Sequence, residues 1–183
     1  MKSPVDTPIL WPNPPDGQTV YSEKRFSVRV CPPKSTGAAV PRGVIIHPGA
    51  VVLLPITSSG QIVMINNRRW QVGEQLLELA AGTLEDAEDP QTCAHRELEE
   101  ETGYRCKSLT LFHRFYPLPG ATTEVMHAYV ARDLTHIGQS LESDEKIDVV
   151  LMDPAAVMDA MARGLIIDGK TLAVLGLYFL GTP

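Results

Sequence analysis

Residues 96–101 read Arg-Glu-Leu-Glu-Glu-Glu, inside a segment that carries its own helix signals. Asp89 suits an N-cap, Pro90 the first helical position, and Gly103 a C-terminal stop. On such a helix Glu97 lies four residues from Glu101 and three from Glu100, so the three carboxylates project from neighbouring positions. Like charges at these spacings cost a helix about 0.2–0.5 kcal/mol per pair, which calls for a compensating partner. A hard divalent cation is such a partner. Mg2+ and Mn2+ take oxygen ligands, and Mg2+ is commonly held by a few carboxylates together with substrate phosphates. Arg96 stands next to Glu97 and four residues before Glu100, placed to orient a carboxylate or to contact phosphate. Ala94 and Leu98, four apart, supply a stripe to bury on the other side. Taken alone, a Glu-rich helix is most often a solvated face; the pattern around this one decides otherwise.

The elements that must hold this helix are short and β-rich. Phe26, Val28 and Val30 alternate with Ser27 and Arg29, so residues 19–31 read as one half-buried strand. Residues 32–42 read as a loop or linker. Strands are expected at 43–46, 51–56, 62–65 and 75–79, the helix at 90–102, and further strands at 107–115 and 123–131. A polar loop at 132–146 precedes a strand at 147–152. Two helices close the chain, one opened by Asp153-Pro154 and stopping before Gly164, the other spanning about 170–180. Strands and helices mix without strict alternation, which predicts an α+β fold or a mixed sheet with helices on both faces. Residues 164–171, Gly-Leu-Ile-Ile-Asp-Gly-Lys-Thr, satisfy the letters of a phosphate-binding loop. Their apolar, β-branched interior and the helix before them argue against that, and Asp168 to Thr171 read as a helix start.

With 183 residues, the chain is long enough for one domain with a sizeable core. Three widely spaced cysteines, Cys31, Cys93 and Cys106, argue against a disulfide framework or a zinc site. There is no leader-like apolar run and no stretch long enough to span a bilayer, so a cytoplasmic protein is expected. The net charge of −6 argues against a nucleic-acid binder. It is also unevenly spread. Residues 82–104 hold eight acidic side chains against Arg96 alone, and the rest of the chain is close to neutral.

The segment Gly82-x5-Glu88-x7-Arg96-Glu97-Leu98-x-Glu100-Glu101-x-Gly103-Tyr104 is identified as a Nudix box. The chain thus resembles the Nudix hydrolase superfamily, and three further features are similar to its ADP-ribose pyrophosphatase branch. Asn67-Arg68-Arg69 followed by Leu77-Glu78-Leu79-Ala80-Ala81-Gly82 resembles that branch's Q-x-R…L-E-L-P-A-G stretch, with Asn67 and Ala80 as departures. Pro119 lies 16 residues after Gly103, the usual mark of ADP-ribose specificity. Glu124 follows in Pro-Gly-Ala-Thr-Thr-Glu, with Leu118 where a serine is usual.

The resemblance implies a Nudix-type α/β/α sandwich with a mixed β-sheet and an N-terminal antiparallel strand region. It divides the chain into a Pro-rich extended segment (1–17), a strand region and linker suited to a dimer contact (18–42), and the hydrolase domain (43–183). The implied activity is hydrolysis of ADP-ribose to AMP and ribose 5-phosphate. The alternatives are cleavage of another nucleoside-diphosphate sugar such as GDP-mannose, or a non-catalytic nucleotide-binding module. Two to three Mg2+ or Mn2+ ions would be held by Glu97, Glu100, Glu101 and the backbone carbonyl of Ala81. Arg96 and Glu100 join the implied catalytic set, with a general base in the loop before residue 147. Glu145 is the first choice there, with Glu142 and Asp144 as alternates. Arg69 is the implied phosphate contact; Glu78 holds Arg69 or a terminal ribose; Pro119 and Glu124 complete the substrate site. Trp70 stacks on a base or packs in the core. The implied assembly is a homodimer in which Arg25 or Arg29 reaches across to the partner's site.

Overall fold

The computed structural model describes residues 14–143 and 145–181. Most of the Pro-rich segment, Trp11 included, and Asp144 lie outside the described residues. The described residues form ten strands and four helices in three sheets.

The expected strand at 19–31 is a hairpin of β1 (Gln18–Ser22) and β2 (Ser27–Cys31). Glu23, Lys24 and Arg25 are too polar to continue a half-buried strand, and a turn closed by Glu23 N–H to the Phe26 carbonyl (3.0 Å) reverses the chain there. Within the expected linker, Pro33–Thr36 forms a single helical turn, α1. β3 (Arg42–Ile46) then pairs with β2, completing an antiparallel three-stranded sheet.

β4 (Ala50–Pro55) is buried at every position. It lies at the centre of a mixed sheet ordered β7-β4-β9-β8, built with β7 (Ala81–Thr83), β8 (Tyr104–Phe115) and β9 (Met126–His136). β4 and β9 run parallel and the other pairs antiparallel. A second, antiparallel sheet joins β5 (Ile62–Arg69), β6 (Glu74–Glu78) and β10 (Ile147–Met152). β7 is absent from the sequence expectation because three residues, Ala-Gly-Thr, carry no readable period. β8 and β9 extend beyond the expected bounds as long partners of each other, so the expected loop at 132–146 shrinks to the residues after His136.

Side chains on β4 alternate between two cores. Val51 and Leu53 pack with Cys93, Ala94 and Leu98 of helix α2 (Pro90–Thr102). Val52 and Leu54 pack with Val157 and Ala160 of α3 (Pro154–Ala162) and with Val174 and Leu175 of α4 (Gly169–Phe179). Helices on both faces explain why β4 reads as a continuous apolar run rather than an alternating one.

Candidate active site

Helix α2 starts where the sequence places it. The Asp89 carboxylate accepts from the backbone N–H groups of Gln91 (3.0 Å) and Thr92 (3.3 Å), and Gly103 ends the helix at φ 70°. The acids do not lie on the side away from the apolar stripe but flank it: Glu97 and Glu101 are buried together with Ala94 and Leu98, and this edge of the helix meets β7. There Glu101 Oε2 accepts the Ala81 N–H at 2.9 Å. Arg96 gathers three other carboxylates. Its Nε and Nη2 donate to the two oxygens of Glu88, each at 3.0 Å, and Nη1 donates to Glu97 (2.6 Å) and Glu100 (3.0 Å). A planar guanidinium fork is suited to several acceptors in fixed directions, which a lysine cannot serve.

Electrostatics separate these acids by role. The Arg96 hydrogen bonds hold Glu88 below the usual carboxylate range. Burial pushes Glu97 up to about 7, against the pull of Arg96, and pushes Glu101 up to about 8. Neighbouring carboxylates, Glu145 among them, add to both rises. Among the described residues, no three carboxylate, imidazole or thiol groups are already gathered as a metal cluster. The donor set nevertheless fits a hard divalent cation by its chemistry. Buried carboxylate oxygens crowded by their own kind are stabilised in the charged form by such an ion, and the Ala81 backbone lines the same space.

These residues open onto a cleft of 890 Å³. Arg69, Ala81, Arg96, Glu97, Glu100 and Glu101 line it, and Glu142 and Glu145 face them from the loop after β9. The turn of the β1–β2 hairpin lines it as well. Lys24 pairs with Glu85 at 3.8 Å and Arg25 with Glu142 at 3.7 Å, both across exposed side chains. Arg25 therefore borders the cleft of its own chain, while Arg29 donates to the Pro15 carbonyl at 3.0 Å.

Arg69 is held by the fully buried Glu78 through a two-pronged pair, Nε to Oε1 at 3.0 Å and Nη2 to Oε2 at 2.7 Å. Lys170, at the start of α4, completes the arrangement: its Nζ reaches Glu78 at 2.5 Å and Asp168 at 2.9 Å. Next to it the Thr171 hydroxyl accepts the Leu79 N–H at 2.9 Å. The Gly-Lys-Thr triplet thus clamps the end of β6. Sequence reasoning missed Lys170 because its partner lies 92 residues away. Pro119 and Glu124 do not line the cleft. Glu124 is half-buried near Lys170, and burial raises its carboxyl above the usual range against the pull of that ammonium. Trp70 is 79% exposed, which excludes the packed-core reading. The three cysteines are buried and free, and burial raises the thiols of Cys93 and Cys106.

A family model for the NUDIX domain matches residues 46–173, a span that includes the acidic helix and the clamp. The chain belongs to the Nudix hydrolase family. It is 34% identical over 163 residues to a relative named methanol dehydrogenase activator, from Bacillus methanolicus, covering 85% of this chain and 88% of that one. It is 40% identical over 117 residues to an ADP-ribose pyrophosphatase of Bacillus subtilis (strain 168), covering 64% and 63%. A GDP-mannose pyrophosphatase of Cronobacter sakazakii is 33% identical over 137 residues, covering 69% and 71%. The solved structure of an ADP compounds hydrolase superposes with a TM-score of 0.73 at 21% identity, over 92% of this chain and 95% of that one, and shares the fold. As expected of a Nudix hydrolase, the mixed sheet stands between helices, and the box helix lies beside the only parallel strand pair among the described residues. No described helix is long and apolar enough to cross a membrane.

Proposed function

We propose that this Nudix hydrolase cleaves the pyrophosphate of ADP-ribose to AMP and ribose 5-phosphate with Mg2+, Mn2+ being the alternative ion, in a cytoplasmic homodimer. The observation that carries the reading is the meeting of Glu97, Glu100, Glu101 and the Ala81 backbone with Arg69 and Glu145 in one cleft. The likeness to the Bacillus subtilis ADP-ribose pyrophosphatase supports the substrate. β1, exposed along its whole length with Val20 and Tyr21 outward, supports a second copy at the N-terminal sheet.

In this reading Glu97, Glu100, Glu101 and the Ala81 carbonyl would hold two to three ions. When bound, these supply neutralisation of pyrophosphate charge and a more acidic water. Arg96 keeps Glu97 and Glu100 in place through its hydrogen bonds. Arg69, braced by Glu78, offers its remaining N–H groups to a phosphate oxygen. Glu145 takes the proton of the attacking water; its carboxylate already accepts the Glu142 N–H at 2.9 Å, which holds it at the cleft wall. Pro119 and Glu124, in the loop between β8 and β9, complete the substrate site at the far end of the ligand in this reading.

GDP-mannose is the second substrate reading, favoured by the wider reach of the GDP-mannose pyrophosphatase likeness, 69% of the chain against 64%. A product panel with Mg2+ over ADP-ribose, GDP-mannose and nucleoside triphosphates decides. ADP-ribose is expected to have the highest kcat/KM, and no turnover of any nucleoside-diphosphate compound rejects the enzyme reading. Glu101→Gln is expected to lower kcat by orders of magnitude in a folded protein. A loss under about tenfold, roughly 1.4 kcal/mol of barrier, rejects the metal assignment.

A further inference from the structure

The loop that brings Glu142 and Glu145 to the cleft is fastened to the end of α2 at several points. A helix leaves its last carbonyls without intrahelical partners, and here the loop supplies them. Ile137 and Gly138 donate to the Gly103 carbonyl at 2.8 and 3.2 Å, and Ser140 N–H donates to the Glu100 carbonyl at 3.1 Å. The approach is close: a Cβ on Gly103 would lie 2.8 Å from the Gly138 carbonyl carbon and 2.8 Å from the Gln139 nitrogen. The Gln139 amide spans the loop. Its Nε2 donates to the carbonyl of Glu101 at 2.7 Å and to that of Ile147 at 3.4 Å. Glu101 is the most deeply buried acid of α2, and Ile147 is the first residue of β10, two positions after Glu145. One side-chain nitrogen therefore ties both ends of the Glu145-bearing loop to the backbone of the helix that carries Glu97 and Glu101.

We propose that Gln139 is a positioning residue that sets the distance between Glu145 and the acids of α2. The inference rests on the role of Glu145 proposed above. Gln139 touches no substrate; it acts by fixing the loop's two ends, and an apolar residue of the same length frees them.

The test is a double-mutant cycle of Gln139→Met and Glu145→Gln, read by steady-state kinetics on ADP-ribose with Mg2+. Gln139→Met is expected to lower kcat about tenfold or more with KM within about threefold, as loss of one catalytic alignment does. In the Glu145→Gln background the same change is expected to cost almost nothing. An equal loss in both backgrounds overturns the proposal, because Gln139 then supports the fold at large. A second reading needs no turnover: trypsin cleavage after the exposed Lys146 is expected to quicken in Gln139→Met while cleavage elsewhere is unchanged. Unchanged cleavage after Lys146 overturns the proposal. Should the wild type turn over no nucleoside-diphosphate compound, the reading of Glu145 as base falls, and the protease result alone judges whether Gln139 pins the loop. Gln139→Ala serves as the second variant if Gln139→Met does not fold.

Discussion

The Glu97 carboxyl occupies the space that a Cβ on Gly82 would fill. The two residues are 15 apart in sequence and on different elements, β7 and α2, so the first glycine of the box is there to make room for an acid of the helix. Gly82→Ala is therefore expected to push Glu97 out of the cleft and lower kcat/KM about 100-fold or more, while circular dichroism shows the same fold. An active Gly82→Ala enzyme would show that Glu97 can shift without consequence.

Arg96 binds three carboxylates from one guanidinium, and the substitution to test is the one that keeps the charge. Lysine lacks the fork. Arg96→Lys is expected to leave at least one of Glu88, Glu97 and Glu100 without its cation and to destabilise the protein by about 1–3 kcal/mol. Thermal unfolding checks the stability and steady-state kinetics the accompanying loss of activity.

The acids of the cleft predict how metal-free stability follows pH. In the unfolded chain a glutamate titrates near 4.3. Folded, Glu97 and Glu101 titrate at about 7 and about 8 because of burial. Between those values the folded protein keeps protons that the unfolded chain has lost. Their contribution to stability is thus complete below the unfolded value and disappears as pH rises through 7 to 8. The Tm of metal-free protein is expected to be lower at about pH 9 than at about pH 6 through these two groups, and added Mg2+ to raise it more at the higher pH, where protons no longer compete. Glu101→Gln is expected to raise the metal-free Tm at about pH 9 and to shrink the Mg2+ effect. Calorimetric scans of both proteins with and without Mg2+ measure all four quantities.

Lys170 and Glu78 form a pair almost wholly out of water, with side-chain exposures of 11% and 0%. Lys170→Met leaves the buried Glu78 with Arg69 as its remaining cation, and is expected to cost about 1–3 kcal/mol, the loss of one charge-assisted hydrogen bond in a dry site. Denaturant unfolding checks this. The double replacement with Glu78→Gln is expected not to recover the loss, because Arg69 then loses its carboxylate as well.

The acidic helix was legible in the sequence because everything that defines it is local: its cap, its stop, and the spacing of its acids. The strands around it are legible where side chains alternate or, as in β4, run continuously apolar, and invisible where pairing alone makes them, as with β7. The break between β1 and β2 is not legible because the alternation of Phe26, Val28 and Val30 begins inside the turn and marks β2 alone, while β1 carries no buried face of its own. Lys170 was readable as a helix start and unreadable as the partner of Glu78, since nothing in a window of residues announces a contact 92 positions away. Trp70 stayed ambiguous because residue type does not tell a hairpin tip from a core.

β4 divides its side chains strictly by parity, odd positions toward α2 and even ones toward α3 and α4. The two cores therefore share this strand's backbone but none of its side chains. A substitution at Val51 or Leu53 meets the acidic helix α2, whereas one at Val52 or Leu54 meets α3 and α4. A one-residue insertion in this strand would do something neither substitution can: it would exchange the two sets and present each helix with a surface shaped for the other.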